Sequence, residues 1–155
     1  MELELPKDIA DACRELFDIL PLDSAMPHLT GNHPIHTDLV SEIVKQPAIA
    51  ARPALISGLW LYVDDLGRSH TVSQSIETPA GSFWHGIMHR REGDFGNSHY
   101  WMHRAAAHPL LSKLDSDRLV DEVAAARGVD VPSLVDRQRA EWAALFAWCA
   151  AHSGE

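Results

Sequence analysis

The chain has 155 residues, 46% of them hydrophobic, and 13 basic against 22 acidic side chains give it a formal charge of -9. That length suits a single domain able to bury a core without disulfide or metal staples. The acidic balance repels phosphate backbones and anionic lipid, which argues against nucleic-acid and membrane partners. The opening Met1-Glu-Leu-Glu-Leu-Pro6 lacks a basic segment followed by an apolar one, and the longest apolar-looking run, Ala54 to Val63, is too short to cross a bilayer. A cytoplasmic location is therefore expected, in which Cys13 and Cys149 are reduced, buried thiols.

Ile9, Cys13, Leu16, Phe17 and Leu20 recur at helical spacing between Pro6 and Pro21, which predicts a first helix over 7–20. Residues 21–36 carry Pro21, Pro27, Pro34, Gly31, His28, His33 and His36 and read as a long loop or lid. A short helix is expected over 37–45, with Thr37 as its cap. Pro53 opens the next. Its broad face of Leu55, Ile56, Leu59, Trp60, Val63 and Leu66 is expected to run on to about Ser73 in spite of Gly67.

Thr78-Pro79 opens a helix that Gly93 ends, and Asp94 caps one that runs to about Ala107 and stops before His108-Pro109. Two more are expected over 116–127 and 132–152. No segment alternates as a strand does. The expected fold is all-α, one domain over 1–155, a compact bundle of about six or seven helices. Gly86 and Ser98 are small and flank the turn at Gly93, which predicts a central antiparallel hairpin. The spacing of Gly86, Gly93, Phe95, Ser98 and Ala105 fits one tetratricopeptide (TPR-like) repeat of about 34 residues, without a second copy.

Six of the ten histidines lie between residues 70 and 108. His85 and His89 are four apart and share one helix face, so both imidazoles can reach one ion. Counting back from the turn at 75–78 places His70 about level with Ser82 to His85 on the neighbouring helix. Three histidines with an open position is the pattern of catalytic zinc and iron sites. Glu77 or Glu92 is then the candidate fourth ligand or general base, and Gln74 a candidate orienting group. His99 and His103 make a second pair at the same spacing, but the faces of the hairpin aim them aside, toward solvent or an interface.

Arg90, Arg91, Glu92 and Asp94 crowd the hairpin tip. They read as a solvated turn, as an anion clamp, or as a buried network with Asp64 and Asp65, which follow a strongly apolar face. Trp60, Trp84 and Trp101 fall on three successive helices and read as core, with a pocket wall as the other use. Serines near His70 and His85 lack the strand-turn-helix elbow of a serine nucleophile.

The run Ser57-Gly-Leu-Trp-Leu-Tyr-Val-Asp-Asp-Leu-Gly-Arg-Ser-His70, with Ser73-Gln74, Gly81-Ser-Phe-Trp-His-Gly-Ile-Met-His-Arg-Arg-Glu-Gly-Asp94, Asn97, Tyr100-Trp101 and His108-Pro109, resembles a family of uncharacterised bacterial proteins. Its central motif is W-H-x-x-M-H-R-R-E-G-D, and Gln138, Glu141-Trp142 and Leu145-Phe146 resemble that family's tail. The resemblance covers about residues 54–149 and implies no activity, since none is assigned to the family. Its pattern has basic residues near positions 99 and 103, where this chain carries histidines.

Three functions fit these residues. The first is a small helical metalloprotein or metalloenzyme, in which His70, His85 and His89 bind one divalent ion, zinc or iron, and act on a small-molecule substrate. The second is a repeat-like interaction module whose groove takes a peptide or a second copy, as a homo-oligomer. The third is a metal-free enzyme that uses His85 or His89 as acid and base, with Arg90 or Arg91 holding an anionic substrate.

Overall fold

A computed structural model describes residues 3–153. These form ten α-helices and no strand among the described residues: α1 (Lys7–Ile19), α2 (Thr37–Ile43), α3 (Pro47–Ala50), α4 (Pro53–Tyr62), α5 (Leu66–Ser73), α6 (Pro79–Glu92), α7 (Phe95–Arg104), α8 (Pro109–Leu114), α9 (Ser116–Ala125) and α10 (Pro132–Ala151). The all-α expectation holds, while the count exceeds six or seven because two connections hold helices of their own and one expected helix is broken in two. Pro47 starts the single turn of α3. Pro109 starts α8, with the His108 ring as its cap, Nδ1 accepting from the Leu110 amide at 3.1 Å.

The third difference is a break where one helix over 53–73 was expected. Asp64 takes φ +61°, the left-handed conformation that a short polar side chain tolerates, and the chain reverses there. Asp65 then caps α5, its carboxylate accepting from the Arg68 amide at 3.1 Å. Asn32 supplies a second cap to the Leu66 amide at 3.1 Å. The apolar face of 55–66 hid this because both helices bury their residues in the same core. The adjacent aspartates were the available signal, a left-handed turn residue followed by an N-cap.

Helices α4 and α5 lie antiparallel, as Ser57 Oγ meets Ser69 Oγ at 3.0 Å and Arg68 stacks over Trp60 at 4.7 Å. The α6–α7 hairpin is antiparallel in the same way. Thr78 and Asp94 cap its two helices and Gly93, at φ +85°, ends the first. Ser98 Oγ donates to the Gly86 carbonyl at 2.6 Å, and a Cβ on Gly86 would meet the Met102 sulfur at 3.0 Å. The glycine is what lets the two helices approach this closely.

Helix α10 runs beside α4 and α9 and ties the rest to itself. Its Trp142 indole donates to the Gly58 carbonyl at 2.7 Å. Its Gln138 amide donates to the Met26 and His28 carbonyls at 3.1 and 3.0 Å, and Arg139 Nε donates to the Ala25 carbonyl at 2.7 Å. Asp130 accepts from the Leu29 amide and the His28 ring, both at 2.9 Å. The Gly31 amide donates to the Arg91 carbonyl at 2.8 Å. Residues 21–36 thus form the expected long loop, fastened along its length as a strap, with its own Ala25, Met26 and Leu29 buried. Cys13 and Cys149 are both unpaired and buried, and burial pushes each thiol up to about 12.

Two arginines are sealed inside this assembly. Arg90 is fully buried and grips Glu141 of α10 with both terminal nitrogens, at 3.0 and 2.9 Å. Arg91 is 1% exposed and donates to the Leu61 carbonyl at 2.7 Å and to the Asp64 carboxylate. Of the sequence options for the hairpin tip, the buried network is the one formed, but Arg90 takes its partner from α10 and Asp65 turns outward to Arg68. Neither arginine is free to hold an anionic substrate, because both guanidiniums are buried and present no exposed donor.

Removing one member of such a pair leaves the other charge buried without a counterion, which typically costs about 3–5 kcal/mol. Asp64→Ala is therefore expected to lower the urea-unfolding free energy by that amount. The double substitution Arg90→Met/Glu141→Leu, which removes both charges together, is expected to cost much less than either change alone. A double variant that costs as much as the two single variants together would show that the charges are not paired in solution.

Candidate metal centre

His70 projects from α5 and His85 and His89 from α6, and one ring nitrogen from each lies within 4.8 Å of the others. His85 and His89 stand one helical turn apart with centroids 4.8 Å apart and planes 23° from parallel. The His70 ring meets both edge-on, at 4.9 and 5.4 Å. The cluster is thus the junction of two helices, which neither sequence segment can make alone. His85 is 3% and His89 7% exposed, and His70 is half-buried.

Two of the imidazoles are held by contacts from outside the cluster. Trp101 of α7 stacks flat on His85, with centroids 3.8 Å apart and planes 12° from parallel. His89 Nδ1 lies 2.5 Å from Glu92 Oε1. A carboxylate only accepts, so this nitrogen carries a proton. His85 Nδ1 is buried without any hydrogen-bond partner. An orphaned buried polar atom costs about 1–3 kcal/mol, and so asks for an explanation in a ligand or ordered water.

Burial pushes the pKa of His85 down to about 4, and the neighbouring His89 and His70 add to the shift. At neutral pH that ring is uncharged, the form in which an imidazole binds a metal. A tetrahedral zinc site with Zn–N bonds of about 2.0–2.1 Å places its nitrogens about 3.3 Å apart. Closing the observed cluster on an ion thus needs each ring to move inward by roughly 0.8 Å or less, by that same geometry.

The carboxylates expected to assist are placed differently from one another. Glu92 meets the cluster only through the His89 ring, and forms with His89 and Asp94 a second, more exposed group of closely spaced donor atoms. Glu77 sits on the exposed α5–α6 turn and belongs to neither group. Gln74, an expected orienting residue, also lies on that exposed turn. Trp101 was legible only as an aromatic residue, since nothing in the spacing of α7 announces a stack on a ring of α6.

His99 and His103 stand apart from the centre, as the hairpin faces implied. His99 bridges α7 to α9, Nδ1 to Asp117 at 2.7 Å and Nε2 to Asp121 at 2.8 Å. Two acceptors require a proton on both ring nitrogens, so the geometry selects the imidazolium. The hydrogen bond to Asp117, with that to Asp121, raises the pKa of this ring. His103 Nε2 lies 3.8 Å from Asp117 and is exposed.

No protein-family model, curated protein or solved structure matches the chain. What the fold and site define is an all-helical arrangement with a cluster of three histidines, from two helices, that could hold a metal ion.

The histidines have opposite pH signatures in the metal-free protein. His85 and His108 are both pushed down to about 4, chiefly by burial, from the ordinary value near 6.5. Over pH 6.5 to 4 the unfolded chain takes up their protons and the folded chain does not. Their contribution is whole above pH 6.5 and falls as pH drops, by up to about 3 kcal/mol each. His99 works the other way: its contribution is whole below pH 6.5 and is lost as pH rises through its elevated folded pKa. Ring-proton NMR titration should separate these classes, and a His99 resonance titrating below 6.5 would contradict the bridge.

Proposed function

We propose that this protein binds one divalent metal ion, zinc or iron, through His70, His85 and His89, and that the centre is catalytic. The observation that carries the reading is the convergence of three imidazoles from two helices around His85, whose buried Nδ1 has no partner within the protein. Three protein donors leave a position for water or substrate. An ion there would act as a Lewis acid and could bring a bound water's pKa to near 7. Glu92 would orient His89 and raise its basicity as a ligand. The resemblance to the bacterial family with the W-H-x-x-M-H-R-R-E-G-D motif belongs to this proposal, because that motif contains His85, His89 and Glu92.

The test is elemental analysis with variants. Purified protein is expected to carry close to one equivalent of metal, and His89→Ala to carry none while keeping its helical circular dichroism. Glu92→Gln is expected to weaken metal binding by about 10–100-fold, the usual effect of losing an orienting carboxylate. Adding metal to about a hundred times its Kd should stabilise the stripped protein by about 2.7 kcal/mol. A stripped protein whose melting point ignores zinc, iron, cobalt and manganese alike would end the proposal.

A further inference from the structure

The faces that carry the imidazoles continue past them toward the α5–α6 turn. Ser82 lies three residues before His85 on α6, and Gln74 four after His70, so each sits one turn along the same helix face. Both line a cavity of about 430 Å³, which Trp101 and Arg104 wall from the α7 side and Glu77 and Pro79 from the turn. Trp101 is shared between the two places, since the ring that lines this cavity also stacks on His85 at 3.8 Å. The cavity thus adjoins the three-histidine cluster across the Trp101 indole, although none of the three histidines lines it.

Its charges are few and opposite. Arg104 lies 5.2 Å over the Trp101 ring and 3.4 Å from the Tyr100 hydroxyl, and it makes no ion pair among the described residues. Arg90 and Arg91, by contrast, are buried and spoken for. Glu77 is the one carboxylate on the wall, and it does not reach Arg104. An unpaired guanidinium beside an indole suits a planar carboxylate with an apolar body. The facing Glu77 and a chain charge of -9 work against a dianionic phosphate.

We propose that this cavity is the substrate vestibule of the three-histidine centre and takes a small monocarboxylate with a flat or apolar body. Arg104 holds the carboxylate and Trp101 packs against the body. This rests on the metal reading for its chemistry but not for its binding, because none of the residues that would hold the ligand is a metal ligand.

The probes are benzoate and inorganic phosphate, titrated calorimetrically into metal-stripped and zinc-loaded protein, with the Trp101 indole followed by ¹H–¹⁵N NMR. Benzoate is expected to bind both forms, to move the Trp101 signal, and to bind at least tenfold more weakly to Arg104→Gln. Phosphate is expected to bind more weakly than benzoate. In cobalt-loaded protein, benzoate should also perturb the visible absorption of the metal, and Arg104→Gln should leave the cobalt stoichiometry at one. Absent benzoate binding, binding unchanged in Arg104→Gln, or phosphate binding as tightly overturns the vestibule. A cobalt spectrum indifferent to bound benzoate overturns its link to the centre. Protein that binds benzoate through Arg104 yet takes up no metal defeats the metal reading and leaves the carboxylate pocket standing.

Discussion

The arrangement depends on where helix α6 sits and how it is rotated about its axis, and two buried ion pairs set both. Arg90 and Arg91 are successive residues, so their side chains leave the helix about 100° apart. One reaches across to Glu141 of α10 and the other to Asp64 and the Leu61 carbonyl at the end of α4. Two anchors at different azimuths leave a helix no freedom to roll. His89 leaves about 100° to the other side of Arg90, and His85 lies one turn before it, so the rotation that satisfies the arginines also turns both imidazoles toward α5. Buried charge pairs are weak evidence for net stability, since desolvation offsets much of the attraction. Here their consequence is positional, because sliding or rolling α6 by one residue would strand two guanidiniums in a dry interior.

The same constraint explains what could be read from the sequence. Helix existence was legible almost throughout, because apolar periodicity and the punctuation at Pro53, Thr78-Pro79, Gly93 and Asp94 are local signals. The face shared by His85 and His89 and the approach of His70 were legible for the same reason, since both follow from counting residues along helices. The break at Asp64 was not legible from periodicity, as a helix that reverses within a core keeps its apolar pattern on both sides. The partners of Arg90 lie about 50 residues away on α10, at Gln138 and Glu141. No local pattern joins residues that only tertiary packing brings together, so Trp101 on His85 and the free Arg104 on the cavity wall came from the coordinates alone. The strap over 21–36 has the composition of a mobile loop, yet its backbone groups are claimed by Gln138, Arg139, Asp130 and Arg91, which composition does not reveal.

The histidines show how far environment outweighs residue type. His99 lies between two carboxylates at the surface of α9, where the charged ring satisfies both. His108 is buried against Phe83 and Trp148, and its Nδ1 accepts from the backbone, so it is a neutral helix cap. His85 is buried too, but beside two other imidazoles and under an indole, with no backbone donor or acceptor to complete its Nδ1. His99 is explained by the contacts it makes, while His108, though its Nδ1 is claimed, keeps a buried Nε2 without a partner. What singles out His70, His85 and His89 is that three rings from two helices bring a nitrogen each to one place.

An acid–base centre without metal would also use a neutral histidine, but it would be built differently. A general base works best with a pKa near the operating pH, and carboxylate partners are the usual means of keeping it there. At His85 the surroundings act the opposite way, since burial and two neighbouring imidazoles drive the ring to about 4, well below the useful range. The one carboxylate in contact with the cluster is on His89, at Nδ1. Three clustered rings, one oriented by a carboxylate and one buried, neutral and held flat by an indole, are poorly arranged to move protons by themselves. They are well arranged to present lone pairs, and a cation at their centre would turn the desolvation that penalises His85⁺ into a preference for the ion.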